Sequence, residues 1–228
     1  MIKAIYFDAI KTIFKPFPSE VGLYQKVIFE ITGKQIHEEV LGPILEKAMT
    51  ETEKLDSVKD NSIQQWGYYP AKVAELIGCD KADCPNVGEK LRYETWGNPN
   101  NYRLYDDILQ ALKMLKENDL YIACVSNEDG WLSKFFDHFE ISEYFEFILT
   151  SQEVGVEKPN PLIFEKSLER GGFQPSEILF VGDSLPSDYA GSKAVGMNPL
   201  LIDREHKIAD DSLIKTDDLT KIMDFING

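Results

Sequence analysis

Five polar side chains of this chain stand at or just beyond the ends of apolar runs, and their types could do chemistry together. Asp8 follows Ile2 to Phe7, Ser126 follows Leu120 to Val125, and Lys158 lies in the loop after Phe145 to Leu149. Asp183 follows Ile178 to Val181, with Asp188 a little further on. The set comprises a carboxylate able to act as a nucleophile, a hydroxyl, a lysine and further carboxylates. Singly, each has a plainer reading. An aspartate after an apolar run forms turns, Ser126-Asn127 is a good turn pair, and a lysine before proline is normally a solvated loop residue. Gly182-Asp183 could begin a loop and cap a helix, and Asp188 could be an acidic residue favoured at a helix start. All of those readings would have to hold independently, so the joint arrangement carries more weight than any one residue.

A parallel sheet would bring these positions together. The runs are short, almost unbroken in apolar character and separated by helix-like stretches, as expected of strands buried on both faces. Asp106 is expected to cap a helix carrying Ile108, Leu109, Leu112 and Leu115 on one face. Asn160 and Pro161 read as the N-cap and first residue of another helix, closed by Gly171-Gly172. Asn198 to Ile202 reads as the last strand. Strands alternating with helices give an α/β fold class, a Rossmann-like doubly wound parallel sheet. In such a sheet ligands sit at the carboxyl ends of the strands, near the point where strand order reverses.

From about residue 17 to 97 the pattern changes to long helix-like stretches. Ser62 and Gln65 have capping-box spacing, and Val73, Leu76 and Ile77 recur near helical spacing. The expected division is an α/β domain of residues 1–16 and 98–228 and an inserted all-α helical cap domain of residues 17–97. The inserted stretch and its hinge are rich in aromatics: Phe14, Phe17, Tyr24, Trp66, Tyr68, Tyr69, Tyr93 and Trp96. Roughly three in four of these are expected to be packing, with Phe14 and Phe17 as candidates to line an entrance.

The order of the polar segments resembles the four motifs of the haloacid dehalogenase (HAD) superfamily of hydrolases. The matching segments are Phe7-Asp8-Ala9-Ile10-Lys11-Thr12, Val125-Ser126-Asn127, Glu157-Lys158-Pro159-Asn160-Pro161 and Val181-Gly182-Asp183-Ser184 with Asp188. The run Tyr189-Ala190-Gly191-Ser192-Lys193-Ala194-Val195-Gly196-Met197 is similar to the helix and turn after the family's fourth motif. The insertion falls where members with a helical cap carry theirs. The resemblance implies a Mg²⁺-dependent phosphatase in which Asp8 attacks phosphorus and forms an aspartyl-phosphate that water hydrolyses. Ser126 and Asn127 would contact the phosphoryl group, and Lys158 would neutralise it and hold the nucleophile. Asp8, the backbone carbonyl of Ile10, Asp183 and Asp188 would hold the metal, a hard cation that prefers such oxygens.

One position departs from the family pattern. Family phosphatases place a second aspartate two residues after the nucleophile, to protonate the leaving oxygen and later help activate water. Ile10 stands there, beside Lys11 at a position that favours glycine. Losing a positioned acid–base costs about 10²–10⁴ in rate. Lys11, Glu128 and Asp129 are the candidate substitutes. The alternatives are a dehalogenase-like hydrolase, whose relatives also lack that aspartate, and a degenerate, non-catalytic ligand- or protein-binding member. The dehalogenase reading lacks an early cap arginine, because the first arginine is Arg92.

Composition narrows the partners. With 43% hydrophobic and 28% charged residues the chain reads as a soluble globular protein. A formal net charge of −15 with no Lys/Arg cluster argues against nucleic acid and leaves a small phosphorylated metabolite as the expected partner, bound at a locally built site. No apolar run approaches the roughly 20 residues needed to cross a bilayer. The start, MIKAIYFDAI, is interrupted by Asp8 with no cleavage site following, so a cytoplasmic protein is expected. Cys79, Cys84 and Cys124, with His37, His138 and His206, lack the spacing of a zinc site, and reduced thiols are expected. No heptad seam is evident, which leaves a monomer or a weak homodimer.

Overall fold

A computed structural model describes residues 1–55 and 62–226 of the chain, with the side chains of residues 62–66 not described. The capping box read at Ser62 and Gln65, and Trp66, therefore lie outside the described side chains. The chain divides into two compact units, Met1–Lys15 with Leu104–Gly228, and Pro16–Arg103.

The first unit is built on a six-stranded sheet. Its strands are β1 (Ala4–Phe7), β4 (Tyr121–Ser126), β5 (Phe147–Thr150), β6 (Ile178–Gly182), β7 (Asn198–Ile202) and the short β8 (Lys215–Thr216), in the spatial order β5-β4-β1-β6-β7-β8. Two further short strands, β2 (Phe14–Pro16) and β3 (Tyr102–Leu104), form a separate two-stranded sheet. All neighbours in the large sheet are parallel, with Phe7 opposite both Cys124 and Val181. The sheet is the parallel, doubly wound α/β arrangement expected from the buried runs. Counting outward from β1, the chain fills one side with β4 and β5, then crosses to β6, so the order reverses between β1 and β6.

One buried layer packs Tyr6, Val125, Phe147 and Phe180 against Ile163 and Phe164 of the helix Pro161–Gly171. Asn160 caps that helix by accepting from the Leu162 amide, and Gly172 closes it at φ 77°. Gly171 is required by space, because a Cβ there would stand 1.8 Å from the Tyr6 hydroxyl. The helix Ile108–Glu117 buries Ile108, Ala111, Leu112 and Leu115, spaced i, i+3, i+4 and i+7. Two expectations for this helix fail. Leu109 lies off that face and is exposed, and Asp106 does not cap the helix but points its carboxylate at Lys15 Nζ, 3.5 Å away. Asp107 holds the N-cap position, and its carboxylate instead accepts from Arg204 Nη1 at 2.8 Å and the Leu219 amide at 2.7 Å.

The second unit contains the helices Glu20–Thr32, Glu38–Glu53, Ser62–Leu76 and Cys84–Arg92, followed by a wide turn at Tyr93–Gly97. Ser19 caps the first by accepting from the Gly22 amide, and Gly33 ends it at φ 70°. Leu23, Val27, Leu41, Leu45, Val73 and Leu91 of these helices are buried. Tyr69 stacks on Trp96 with ring centroids 5.8 Å apart. Tyr24 and Tyr69 are buried, while Phe17, Tyr68 and Tyr93 are exposed. Phe14, expected near an entrance, is fully buried in the first unit against Phe135, Phe136 and Phe139. Among the described residues no helix is long and apolar enough to cross a membrane.

Candidate active site

The loop after β1 is a tight one. Ala9 O accepts from the amides of Ile13 (2.8 Å) and Phe14 (3.0 Å), and Lys11 N donates to Phe14 O (2.7 Å). Closing this loop forces Lys11 to φ 65°, the left-handed region that glycine adopts without strain. Arg204 braces the same loop by donating from Nη2 to Thr12 O at 2.9 Å. Ile10, with no titratable group, is half-buried within it.

Asp8 stands at the head of this loop, buried, with both of its side-chain donors on one oxygen. Ser126 Oγ donates to Asp8 Oδ1 at 2.9 Å and Lys158 Nζ donates to the same atom at 2.6 Å. Lys158 Nζ also donates to Asp188 Oδ1 at 2.7 Å and to Val125 O at 2.9 Å. Its three hydrogens thus reach the residue after β1, the β4 backbone and the segment after β6 at once. Asp188 sits in a wide helical turn, Leu185–Ala190, in which Asp188 N and Tyr189 N both donate to Ser184 O at 2.9 and 3.1 Å. Its second oxygen, Oδ2, accepts from the Ser184 amide at 3.0 Å.

Asp8, Asp183 and Asp188 each offer a carboxylate oxygen, and these atoms lie within 4.8 Å of one another. Two of these carboxylates, Asp183 and Asp188, are held above the ordinary carboxylate range, chiefly by burial. Burial, then the charges of Asp8 and Asp188, push Asp183 up to about 7. Burial pushes Asp188 up to about 6 against the pull of Lys158. Burial would lower the Lys158 ammonium, but Asp188 and Asp8 outweigh it and hold it above its ordinary range. An all-oxygen set of crowded anionic donors is the chemistry a hard divalent cation would relieve, so the residues fit a magnesium ion. Every group the sequence placed at this edge is therefore brought together: Asp8, Ser126, Lys158, Asp183 and Asp188.

Asn127 stands beside this cluster. Its side-chain amide is engaged with the backbone of Lys158, donating from Nδ2 to Lys158 O at 2.9 Å and accepting at Oδ1 from Lys158 N at 2.7 Å. Of the candidate proton donors, Glu128 is half-buried, and burial followed by the charges of Asp8 and Asp129 pushes it up to about 8. Lys11 lies close enough to Asp183 to lower its protonation. Three contributors escaped the sequence reading: the Val125 carbonyl, the Ser184 amide and Arg204. The first two are backbone atoms with no sequence signature, and Arg204 is separated from Thr12 by most of the chain.

The family model for haloacid dehalogenase-like hydrolases matches residues 89–202. The haloacid dehalogenase-like hydrolase domain-containing protein 3 of Mus musculus is 37% identical over 141 residues, covering 62% of this chain and 56% of its own. The chain thus spans little more than half of that relative. A phosphoglycolate phosphatase from Aquifex aeolicus is 30% identical over 205 residues, covering 87% of this chain and 96% of its own. By fold, the chain is similar to the HAD-hydrolase YfnB of Bacillus subtilis, solved bound to magnesium (TM-score 0.80, 18% identity, 100% and 99% coverage). It is also similar to the L-2-haloacid dehalogenase of Xanthobacter autotrophicus (TM-score 0.71, 18% identity, 100% and 99% coverage).

Proposed function

The chain belongs to the haloacid dehalogenase-like hydrolases, and from that premise we propose that it is a magnesium-dependent phosphohydrolase acting on a small phosphorylated metabolite. The observation that carries this reading is the buried Lys158 ammonium, 2.6 Å from Asp8 and 2.7 Å from Asp188, with Asp183 completing the carboxylate cluster.

Asp8 Oδ2, which takes neither the Ser126 nor the Lys158 bond, attacks phosphorus. The bond from phosphorus to the leaving oxygen breaks, its electron pair departs with that oxygen, and an aspartyl-phosphate remains on Asp8. Ser126 and Lys158 fix the carboxylate on its Oδ1 side, and Lys158 balances the charge that builds on the phosphoryl oxygens. Asp8, Asp183, Asp188 and the Ile10 carbonyl would hold a magnesium ion, which when bound offsets negative charge on the phosphoryl group. Water then attacks the aspartyl-phosphate, releasing phosphate and restoring Asp8. Ile10 can move no proton, so assistance to the leaving oxygen falls to another group, and Glu128, whose carboxyl burial pushes up to about 8, is the candidate we favour over Lys11 and Asp129. The helical unit, Pro16–Arg103, would supply substrate selection.

The test is hydrolysis of p-nitrophenyl phosphate and acetyl phosphate, whose leaving groups need little protonation, with and without Mg²⁺. Magnesium-dependent release that vanishes in a folded Asp8→Asn variant is expected. Full release in Asp8→Asn overturns the assignment. Halide release from a 2-haloacid without metal would replace it by attack of Asp8 on carbon, a reading that the untitratable Ile10 favours.

A further inference from the structure

A lysine side chain has four rotatable bonds, so placing its ammonium to within a few tenths of an ångström between two carboxylates requires that its backbone be held. Lys158 lies in the loop between the short helix Ser151–Val154 and the helix Pro161–Gly171, outside any strand or helix. No sheet or helix ladder is there to hold it. What holds it is Asn127, whose planar amide takes both polar atoms of the residue, the N–H at 2.7 Å and the C=O at 2.9 Å. The two residues are 31 positions apart, so this is a cross-link between loops and not a local turn.

The short helix before the Lys158 loop is joined to the segment after Asn127 as well. Gly130 N donates to Gln152 Oε1 at 2.7 Å, and Ser151 Oγ and Gln152 N both approach Glu128 O at 3.4 Å. The end of β4 thereby sets two partners of Asp8 together. Ser126 bonds the Asp8 carboxylate directly, and the next residue fixes the backbone from which Lys158 reaches the same oxygen.

We propose that the Asn127 side chain is a positioning group that acts through Lys158, by holding the backbone from which the ammonium reaches Asp8 and Asp188. The assignment rests on the phosphohydrolase reading above, but it makes a structural claim of its own. A two-point clamp on the lysine backbone leaves the Asn127 amide with no donor free of Lys158 except the second hydrogen on Nδ2. Removing the clamp frees the Lys158 loop, and ammonium misplacement then lowers the rate of the chemical step without weakening substrate binding.

The experiment compares full-length wild type with Asn127→Ala by two readouts, amide hydrogen exchange at Lys158 and steady-state hydrolysis of acetyl phosphate with Mg²⁺. Exchange at Lys158 should accelerate about tenfold or more in a variant that melts cooperatively. The kcat should fall about 10- to 100-fold, the scale for a misplaced catalytic group, with KM within about twofold. Unchanged exchange at Lys158, or a loss expressed in KM with kcat retained, overturns the proposal. If Asn127→Ala does not fold, Asn127→Asp keeps the acceptor for the Lys158 amide and loses the donor to its carbonyl. That variant should keep slow exchange at Lys158 and still lose kcat, and fast exchange there overturns the clamp. A wild type that hydrolyses no phosphate while its Lys158 amide depends on Asn127 would sink the phosphohydrolase reading and keep the clamp.

Discussion

The carboxylate of Asp188 occupies the space that a side chain at position 182 would need: a Cβ on Gly182 would lie 2.3 Å from Asp188 Cγ. Gly182 ends β6, so the bare backbone there lets the wide turn after it fold back and bring Asp188 beside Lys158. Gly182→Ala should therefore push Asp188 away from Lys158 while leaving the sheet intact. Phosphatase activity is expected to fall about 10²-fold, the scale for a displacement of about 1 Å at a reacting centre. Circular dichroism and the rate on p-nitrophenyl phosphate check it together, and an active, folded alanine variant would show that Asp188 is dispensable.

Lys158 is buried between Asp8 and Asp188 and pairs with both. Lys158→Met keeps most of the side-chain length and removes the charge, leaving two carboxylates facing each other in a low-dielectric site. Loss of one partner of a buried pair costs about 3–5 kcal/mol. Urea unfolding at neutral pH in EDTA should show a destabilisation of that size, shrinking as the pH falls and the carboxylates take up protons. Equal stability of the two proteins across that range would mean that solvent already screens the cluster.

How much of this was legible in the sequence depends on the length scale of each cause. The convergence of Asp8, Ser126, Lys158 and Asp183 could be read because each follows an apolar run, and parallel strands align their ends by construction. The helix Pro161–Gly171 was legible at both ends because its signals, Asn160, Pro161 and the paired glycines, act within a turn. Asp106 misled for the opposite reason: which of two adjacent aspartates caps a helix depends on distant partners, here Lys15, Arg204 and Leu219. The clamp of Asn127 on Lys158 is a tertiary contact between two loops, and neither residue's neighbours encode it.

Glu128 gives the fold a pH dependence whose sign can be worked out. Its carboxyl holds its proton in the folded state up to about 8, against an ordinary value of 4.5, chiefly because of burial and the charge of Asp8. Between those two values the folded state binds more protons than the unfolded state, so stability falls as pH rises through that window. The residue is only half-buried, and solvent screening reduces the cost below the full shift. Glu128→Gln, which carries no titratable proton, should melt at nearly the same temperature as wild type at pH 4 and above it at pH 9. Parallel melting curves for the two proteins from pH 4 to 9 would remove Glu128 as a protonated group and as a proton donor.

Crowding of Asp8, Asp183 and Asp188 predicts opposite effects of one substitution with and without metal. Without a divalent ion, Asp183 adds a negative charge to a cluster that already holds two carboxylates against one ammonium, and burial with those charges pushes it up to about 7. Asp183→Asn removes that repulsion, so in EDTA the variant should melt at or above the wild-type temperature. With magnesium the order should invert. An ion that binds only the folded state stabilises it by about 2.7 kcal/mol at a hundredfold excess over its Kd, and the variant lacks a ligand for it. Thermal melts of both proteins with EDTA and with about 10 mM Mg²⁺, roughly a hundredfold excess for a site with a Kd of about 0.1 mM, separate the two terms. A wild type whose melting temperature ignores Mg²⁺ would refute the metal site. A variant that gains as much from Mg²⁺ as wild type would keep the site and remove Asp183 from it.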